Sequence, residues 1–387
     1  MDYRILVLAL GTFAIGTDNY VVAGILPQVA RSFGVSVAAA GQFVTVYSLA
    51  YGLLTPVMAA LLANWRRRHV LLCGLVVFVI GNILTATQTS FDLALLSRAV
   101  AGLGGAMFTP VAGATAAAMV APERRGAALA IVIAGLSGAT ALGAPIGTLV
   151  GNAGDWHMTM WFVSLIGMLA LTGVFAILPD VAAPPALRLR QRLAPLGNAR
   201  VATTLLTTLL FMFGVFLIYT YISIVFDRAT DGDGNLLAML LSCWGIAATV
   251  GNLAAGSLSD RFGSRRVING ALVVVALDFA FMPWTGAGFI GAAIAVAVWG
   301  FCGWGFVLSQ QHRLVGINAA LAPILLALNA SAIYLAISAA GAVGALAIGF
   351  IDPHHLPLLT SVLVVASLIC AELAYRLIRE DKGDAAR

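Results

Sequence analysis

Charge is scarce in this chain. Acidic and basic residues make up only 10% of its 387 positions, while 61% are hydrophobic and the mean hydropathy is +1.00. Soluble domains carry about 25% charged residues, so a water-solvated enzyme is excluded. Cysteine is scarce too. Cys73, Cys243, Cys302 and Cys370 each sit in an apolar run with no CxxC pair, and they read as small buried hydrophobes, not disulfides or metal ligands. The five histidines lack an acid or thiol partner at ligand spacing, which argues against a metal site. No GxxxxGK(S/T) phosphate loop is present, so ATP-driven work within the chain is not expected. With no catalytic constellation and no soluble sensory domain, we expect neither an enzyme nor a cofactor, and a non-transporting sensor is the weaker reading.

What the chain does have is 41 glycines and long apolar runs. Glycine at this density suits helices packed closely in lipid. Runs long enough to cross a bilayer fall at about 5–29, 39–63, 69–88, 91–120, 127–150 and 158–178, then 201–226, 236–258, 267–285, 288–311, 318–350 and 357–378. The first contains Asp18 and Asn19 and lacks a small-residue cleavage site, so it is a span and not a signal peptide. The fold class expected is an all-α membrane protein of twelve transmembrane helices. Of the 21 lysines and arginines, 18 fall in the loops and tails on one side, only Arg31 and Arg228 on the other, and Arg98 within a span. By the positive-inside rule both termini face the cytoplasm, across a cytoplasmic (inner) membrane.

The longest polar stretch, 179–200, holds Pro179, Pro184, Pro185 and Pro195 with Arg188, Arg190, Arg192 and Arg200. It reads as a cytoplasmic linker between an N-terminal half, 1–178, and a C-terminal half, 201–387. Its arginines suit anionic lipid headgroups, not nucleic acid. The halves echo each other: Trp65-Arg66-Arg67-Arg68 follows the second span, and Asp260-Arg261-Phe262-Gly263-Ser264-Arg265-Arg266 follows the eighth. Parallel six-span repeats with a mid-membrane site between them mark one large transporter class.

On these residues the chain resembles the major facilitator superfamily over essentially its full length. Gly256, Asp260, Arg261, Gly263, Arg265 and Arg266 match that superfamily's GxxxDRxGxRR loop signature, whose carboxylate and guanidiniums can form a charge-assisted latch. The first-half copy has Ala63-Asn64 where an acid would stand. The fifth span, with Gly135, Gly138, Gly143, Pro145 and Gly147, is similar to the signature of proton-driven exporters. Glycines 143, 147 and 151 recur at i+4 as a smooth face, and Pro145 bends the helix, which suits a sliding contact between halves. Gly16-Thr-Asp18-Asn19 through Pro27, and Gly41 through Tyr51, resemble the sugar-efflux and chloramphenicol-resistance-like exporters of the drug:proton antiporter type. The resemblance implies a monomeric carrier of protons and a small-molecule substrate, exporting by alternating access. An importer or uncoupled facilitator on the same scaffold is the alternative.

Ionisable groups inside a span are costly and usually functional. Asp18 lies 14 residues after Arg4, about 21 Å along a helix, and is expected in the cavity wall as the proton carrier. Arg98 keeps its proton and is expected to hold a polar network and tune a nearby acid. Asp278 is the second candidate carrier. Glu372, four residues before Arg376, is expected to pair with it. Candidate substrate-binding residues are Asn19, Tyr47, Tyr51, Tyr219, Tyr221, Trp244, Trp299, Asn329 and Tyr334, since aromatics with polar tips suit a mixed apolar and hydrogen-bonding ligand. Two small-polar faces, Gly41-Thr45-Ser48-Gly52-Thr55 and Ser331-Tyr334-Ser338-Gly341, are expected to line the cavity as well.

Overall fold

A computed structural model describes residues 3–181 and 187–384. Pro184 and Pro185 of the linker and Arg387 of the charge count lie outside the described residues, as does the side chain of Lys382. Among the described residues twelve helices are long and apolar enough to cross a membrane. They are α1 (Arg4–Phe33), α2 (Val37–Leu61), α3 (Arg67–Thr87), α4 (Phe91–Ala118), α5 (Pro122–Ala153), α6 (Trp156–Ile177), α7 (Ala199–Thr220), α8 (Gly234–Phe262), α9 (Ser264–Thr285), α10 (Phe289–Ile317), α11 (Ala319–Ile348) and α12 (Pro353–Glu380). No strand occurs among the described residues. With an even number of spans, both chain ends lie at one face, the terminal face, opposite a far face.

Each expected run corresponds to one helix, and the helices outlast the apolar runs where polar turns continue them. The first run, expected to end near 29, continues to Phe33. There Gly34, at φ 65°, turns its N–H back onto the carbonyls of Ala30 and Arg31. α5 starts at Pro122, about a turn before the expected 127, because Glu123, Arg124 and Arg125 form its first polar turn. Far-face turns are capped by side chains: Ser36 accepts from the Ala39 N–H at 3.1 Å, Asp155 from Met158 at 3.2 Å, and Asp233 from Asn235 at 2.7 Å. Also at that face, His354 lies between Asp227 (2.6 Å) and Asp352 (2.5 Å). Bonds from the backbone and ring of His354 hold the Asp352 carboxyl below its ordinary range.

The usual inside and outside of a protein are exchanged. Leu165, Leu169, Phe175, Ile290 and Ile294 are exposed, whereas Asp18, Arg98, Asn82, Gln310 and Asn329 are buried. Hydrocarbon can solvate the former and not the latter. Close helix approaches repeat in both halves. A Cβ on Gly81 of α3 would strike the Ala101 backbone of α4, and one on Gly251 of α8 would strike the Phe301 backbone of α10.

The six-helix sets α1–α6 and α7–α12 meet chiefly along α2 with α11 and α5 with α8. Hydrogen bonds crossing between the sets run from Tyr219 to the Tyr20 carbonyl (3.1 Å), Tyr221 to the Ala38 carbonyl (3.4 Å), Asn152 to Asn235 (3.4 Å), Thr249 to the Ser137 carbonyl (3.4 Å) and Asn252 to Ser137 (3.4 Å). By their places along their helices, these run from the far face to mid-depth, with Asn252 a turn past the middle of α8. The halves therefore close at the far face and part toward the terminal face.

Candidate transport site

Between the halves lies a cavity of about 220 Å³. Aromatic side chains wall it: Tyr20, Tyr51, Phe211, Phe216, Trp244, Trp299, Trp304 and Tyr334. Tyr51 of α2 and Tyr334 of α11 stack across the halves with ring centroids 3.6 Å apart. The polar lining comes from Thr109, Asn329 and Gln311, and among the described residues no acidic or basic one lines it.

Of the nine candidate binding residues, Tyr51, Trp244, Trp299, Asn329 and Tyr334 line this cavity and four do not. Tyr219 stands behind the wall, its ring 4.6 Å from Trp244 and its hydroxyl on the Tyr20 carbonyl. Tyr221 is spent at the far end, where its hydroxyl donates to the Gly341 carbonyl at 2.6 Å. Asn19 and Tyr47 are buried within the N-terminal half. The two small-polar faces of α2 and α11 largely pack on each other instead of lining space: a Cβ on Gly52 would stand 3.0 Å from the Leu335 backbone nitrogen, and Gly341 abuts Thr45. Small side chains let the backbones approach, and close approach leaves no lumen.

Asp18 is fully buried and lies off the cavity wall, which corrects the expected placement. Its Oδ1 accepts from the Arg98 guanidinium at 2.7 Å, its Oδ2 from Asn82 Nδ2 at 3.3 Å, and Arg98 also donates to Asn82 Oδ1 at 3.1 Å. The guanidinium lies 4.7 Å from the centre of the Tyr47 ring, a cation–π distance. Tyr47 is one helical turn from Tyr51, their rings 6.3 Å apart. The cluster thus sits behind the cavity, with two tyrosines between. Asn82 escaped the sequence reading, although a lone amide in an apolar span was the available signal. Trp304, Phe211 and Thr109 of the wall were missed as well, being common residues at common spacing.

In α5, Ala139–Gly143 form a π-helical segment just before Pro145. Proline lacks the N–H a regular helix needs there, and a π-bulge is one way to absorb the bend. The smooth face packs on α1 of the same half, which corrects the expected contact. Gly143 abuts Thr17, Gly147 abuts Val21 and Gly151 abuts Ile25, so two i+4 ladders mesh. The other half is met by the neighbouring face, where Gly245 of α8 rests on the Thr140 backbone.

At the terminal face, Glu372 pairs with Arg265 in a bidentate bridge of 3.0 and 2.6 Å, and also accepts from Asn269. The Arg376 pairing expected from i+4 spacing is not formed, because the fork of Arg265 from α9 satisfies both carboxylate oxygens. Asp278, on α9, does not line this cavity, and its Oδ2 has no hydrogen-bond partner among the described residues.

A sequence profile described as Major Facilitator Superfamily matches residues 8–345. The chain belongs to that superfamily. It is 30% identical over 317 residues to the inner membrane transport protein YdhP of Escherichia coli K12, covering 82% of this chain and 81% of that one. It is 29% identical to the MFS-type transporter YbcL of Bacillus subtilis, over 88% of each chain. A chloramphenicol resistance protein of Streptomyces lividans is 33% identical over 67% of this chain and 68% of its own. The human organic anion transporter MFSD10 shares the fold, with a TM-score of 0.72 at 17% identity, covering 95% and 97% of the two chains. The superfamily is one of small-molecule transporters, and this chain is accordingly a multi-pass membrane protein of that kind.

Among the described residues Asp260 forms no ion pair in this arrangement. With the halves parted at the terminal face, a latch across that face has nothing to grip. Asp260→Asn is expected to insert normally, yet to slow transport about tenfold or more, the factor carried by one charge-assisted contact in the opposite state. Initial transport rates check this, and wild-type rates would remove Asp260 from the cycle.

Proposed function

We propose that this protein is a proton-coupled exporter, moving a small organic molecule from the cytoplasm outward in exchange for protons. The observation that carries the reading is the Asp18–Arg98 pair, fully buried at 2.7 Å immediately behind the cavity. Burying two charges is costly even when they are paired, and such pairs in membranes are kept for function. Desolvation favours a neutral acid and a nearby cation favours a carboxylate. A rearrangement that separates Arg98 from Asp18 would let the acid take a proton, and re-forming the pair would expel it. Arg98 keeps its charge throughout, resting on Asn82 and the Tyr47 ring.

Coupling to the substrate follows from α1 and α2. Tyr20, two residues beyond Asp18, and Tyr51, one turn from Tyr47, both line the cavity. A ligand that displaces these rings shifts α1, which bears Asp18, and α2, whose Tyr47 ring faces Arg98. Export is supported by the π-bulged, glycine-rich α5 and by the likeness to a chloramphenicol resistance protein. We place the termini in the cytoplasm of the inner membrane, with the linker arginines at anionic lipid, and read the carrier as a monomer. In that frame the structure is inward-open. A reporter fused after Lys382 should behave as cytoplasmic and one inserted at Gly232 as external, and the reverse at either site would reject this orientation.

The test of function is accumulation of chloramphenicol in cells stripped of their own efflux pumps. Expression should lower the steady-state content several-fold, and a protonophore should restore it. Content unchanged across a panel of sugars, nucleosides and antibiotics would defeat the export reading.

A further inference from the structure

One polar group of the cavity wall, Asn329, has its hydrogen-bond direction set from within the C-terminal half. Gln310 of α10 is fully buried, and its amide nitrogen lies 3.0 Å from the Thr204 carbonyl and 3.4 Å from the Thr208 hydroxyl oxygen. A backbone carbonyl only accepts, so Gln310 must present its NH2 there and cannot be flipped. Thr208 Oγ1 then accepts from Gln310, and of the two acceptors its own proton can reach, Asn329 Oδ1 at 3.0 Å is nearer than the Thr204 carbonyl at 3.5 Å, so the shorter bond goes to Asn329. Asn329 is thereby held with its oxygen occupied and its NH2 uncommitted. That nitrogen has no hydrogen-bond partner among the described residues, on a side chain that lines the cavity. A chain of three donors, Gln310 to Thr208 to Asn329, ends in a donor.

We propose that Asn329, oriented by Thr208 and Gln310, is a specificity-determining residue that selects neutral aromatic substrates bearing a carbonyl-type acceptor. The inference rests on reading the central cavity as the substrate site. Trp244, also on the wall, keeps a buried indole N–H without a partner among the described residues, a second donor beside the Asn329 amide. Aromatic rings on both halves supply the apolar faces for a flat ligand. An anion would enter an apolar space with no lining cation, and full desolvation of an unpaired charge is prohibitive. A cation would find ring faces to rest on, but no lining carboxylate, and a fixed N–H dipole pointing its positive end inward. The nearest opposite charges, Asp18 and Arg98, neutralise each other behind Tyr47.

Quenching of the cavity tryptophans in purified, detergent-solubilised protein reads binding without any gradient. Three nitroaromatic probes share one quencher: chloramphenicol (neutral, with an amide carbonyl), 4-nitrobenzoate and 4-nitrobenzyltrimethylammonium. Wild-type protein is expected to bind chloramphenicol more tightly than either ion. Asn329→Asp, which turns the donor into an ionised acceptor, should weaken chloramphenicol by about tenfold, the size of one hydrogen bond lost with its partner left unpaired. The same variant should tighten the cationic probe, a crossover that general damage to the fold would not produce. Thr208→Val frees the amide to flip and should weaken chloramphenicol by a few-fold while sparing the ions. Tighter binding of either ion by the wild type, saturable quenching by none of the probes, or an unchanged chloramphenicol affinity in Asn329→Asp would each overturn the assignment. Loss of gradient-driven transport with this binding pattern intact would count against the export reading alone.

Discussion

Asp18→Asn is expected to abolish uphill export while leaving substrate binding in place. Asparagine keeps the shape of the side chain and an oxygen facing Arg98, but it cannot gain and lose a proton. The cavity wall is untouched, since Asp18 does not line it, so the tryptophan-quenching affinity should stay within about threefold of wild type, less than one net hydrogen bond. The variant is also expected to be less heat-stable, because removing one partner of a buried pair leaves the other charge uncompensated, at a cost of about 3–5 kcal/mol. The Tyr47 ring and Asn82 offset part of that cost for Arg98. Asp278→Asn, by contrast, should transport close to wild type, since that carboxylate, unlike Asp18, has no basic partner among the described residues to expel its proton. Gradient-driven uptake into inverted vesicles separates the two. Uphill transport surviving in Asp18→Asn, and failing in Asp278→Asn, would move the proton site to α9.

Gly245→Leu is expected to stop the cycle by a different route. A Cβ at this position would meet the Thr140 backbone and stand 2.7 Å from the Ala141 Cα. These atoms belong to the π-helical segment of α5 and cannot step aside as a side-chain tip could. Overpacking of this kind costs about 1–3 kcal/mol or more. The cost falls only on the arrangement closed at the far face, so it converts to a population shift of about 5–150-fold toward the opposite one. Transport should drop by a similar factor with the protein still in the membrane. Leu241→Cys, fully buried beside Gly24 of α1 here, reports the shift in a cysteine-free background. In the Gly245→Leu protein it should react faster with an impermeant maleimide added from the far side. Unchanged labelling and transport would mean that the α5–α8 contact opens without cost.

Much of this molecule was legible because a bilayer imposes one rule everywhere. Backbone polar groups must be satisfied within each crossing segment, so apolar run length predicts every helix, and the positions of Arg66 to Arg68 and of Asp260 to Arg266 mark corresponding turns in the two halves. Asp18 and Arg98 stood out for the same reason, as charges where charge is costly. Their mutual contact spans 80 residues of sequence, and no periodicity encodes it. Spacing along a helix also fails to say which neighbour a face will meet. The ladder of Gly143, Gly147 and Gly151 was visible, but its partner, α1 and not the other half, was not. Glu372 illustrates the same limit, since Arg376 was near in sequence and Arg265 is near in space. The tyrosines divide likewise: Tyr51 and Tyr334 face the cavity, while Tyr219 and Tyr221 complete hydrogen bonds behind it and at its closed end.

The central claim is that substrate and protons move in opposite directions through one carrier. It is tested most directly in proteoliposomes holding the purified protein, a trapped pH-sensitive dye and radiolabelled chloramphenicol, with no gradient imposed at the start. Adding substrate on one side should drive protons toward that side, at a constant ratio of protons to substrate moved, and Asp18→Asn vesicles should show no proton signal. Substrate crossing with no proton movement, or both moving the same way, would contradict the account.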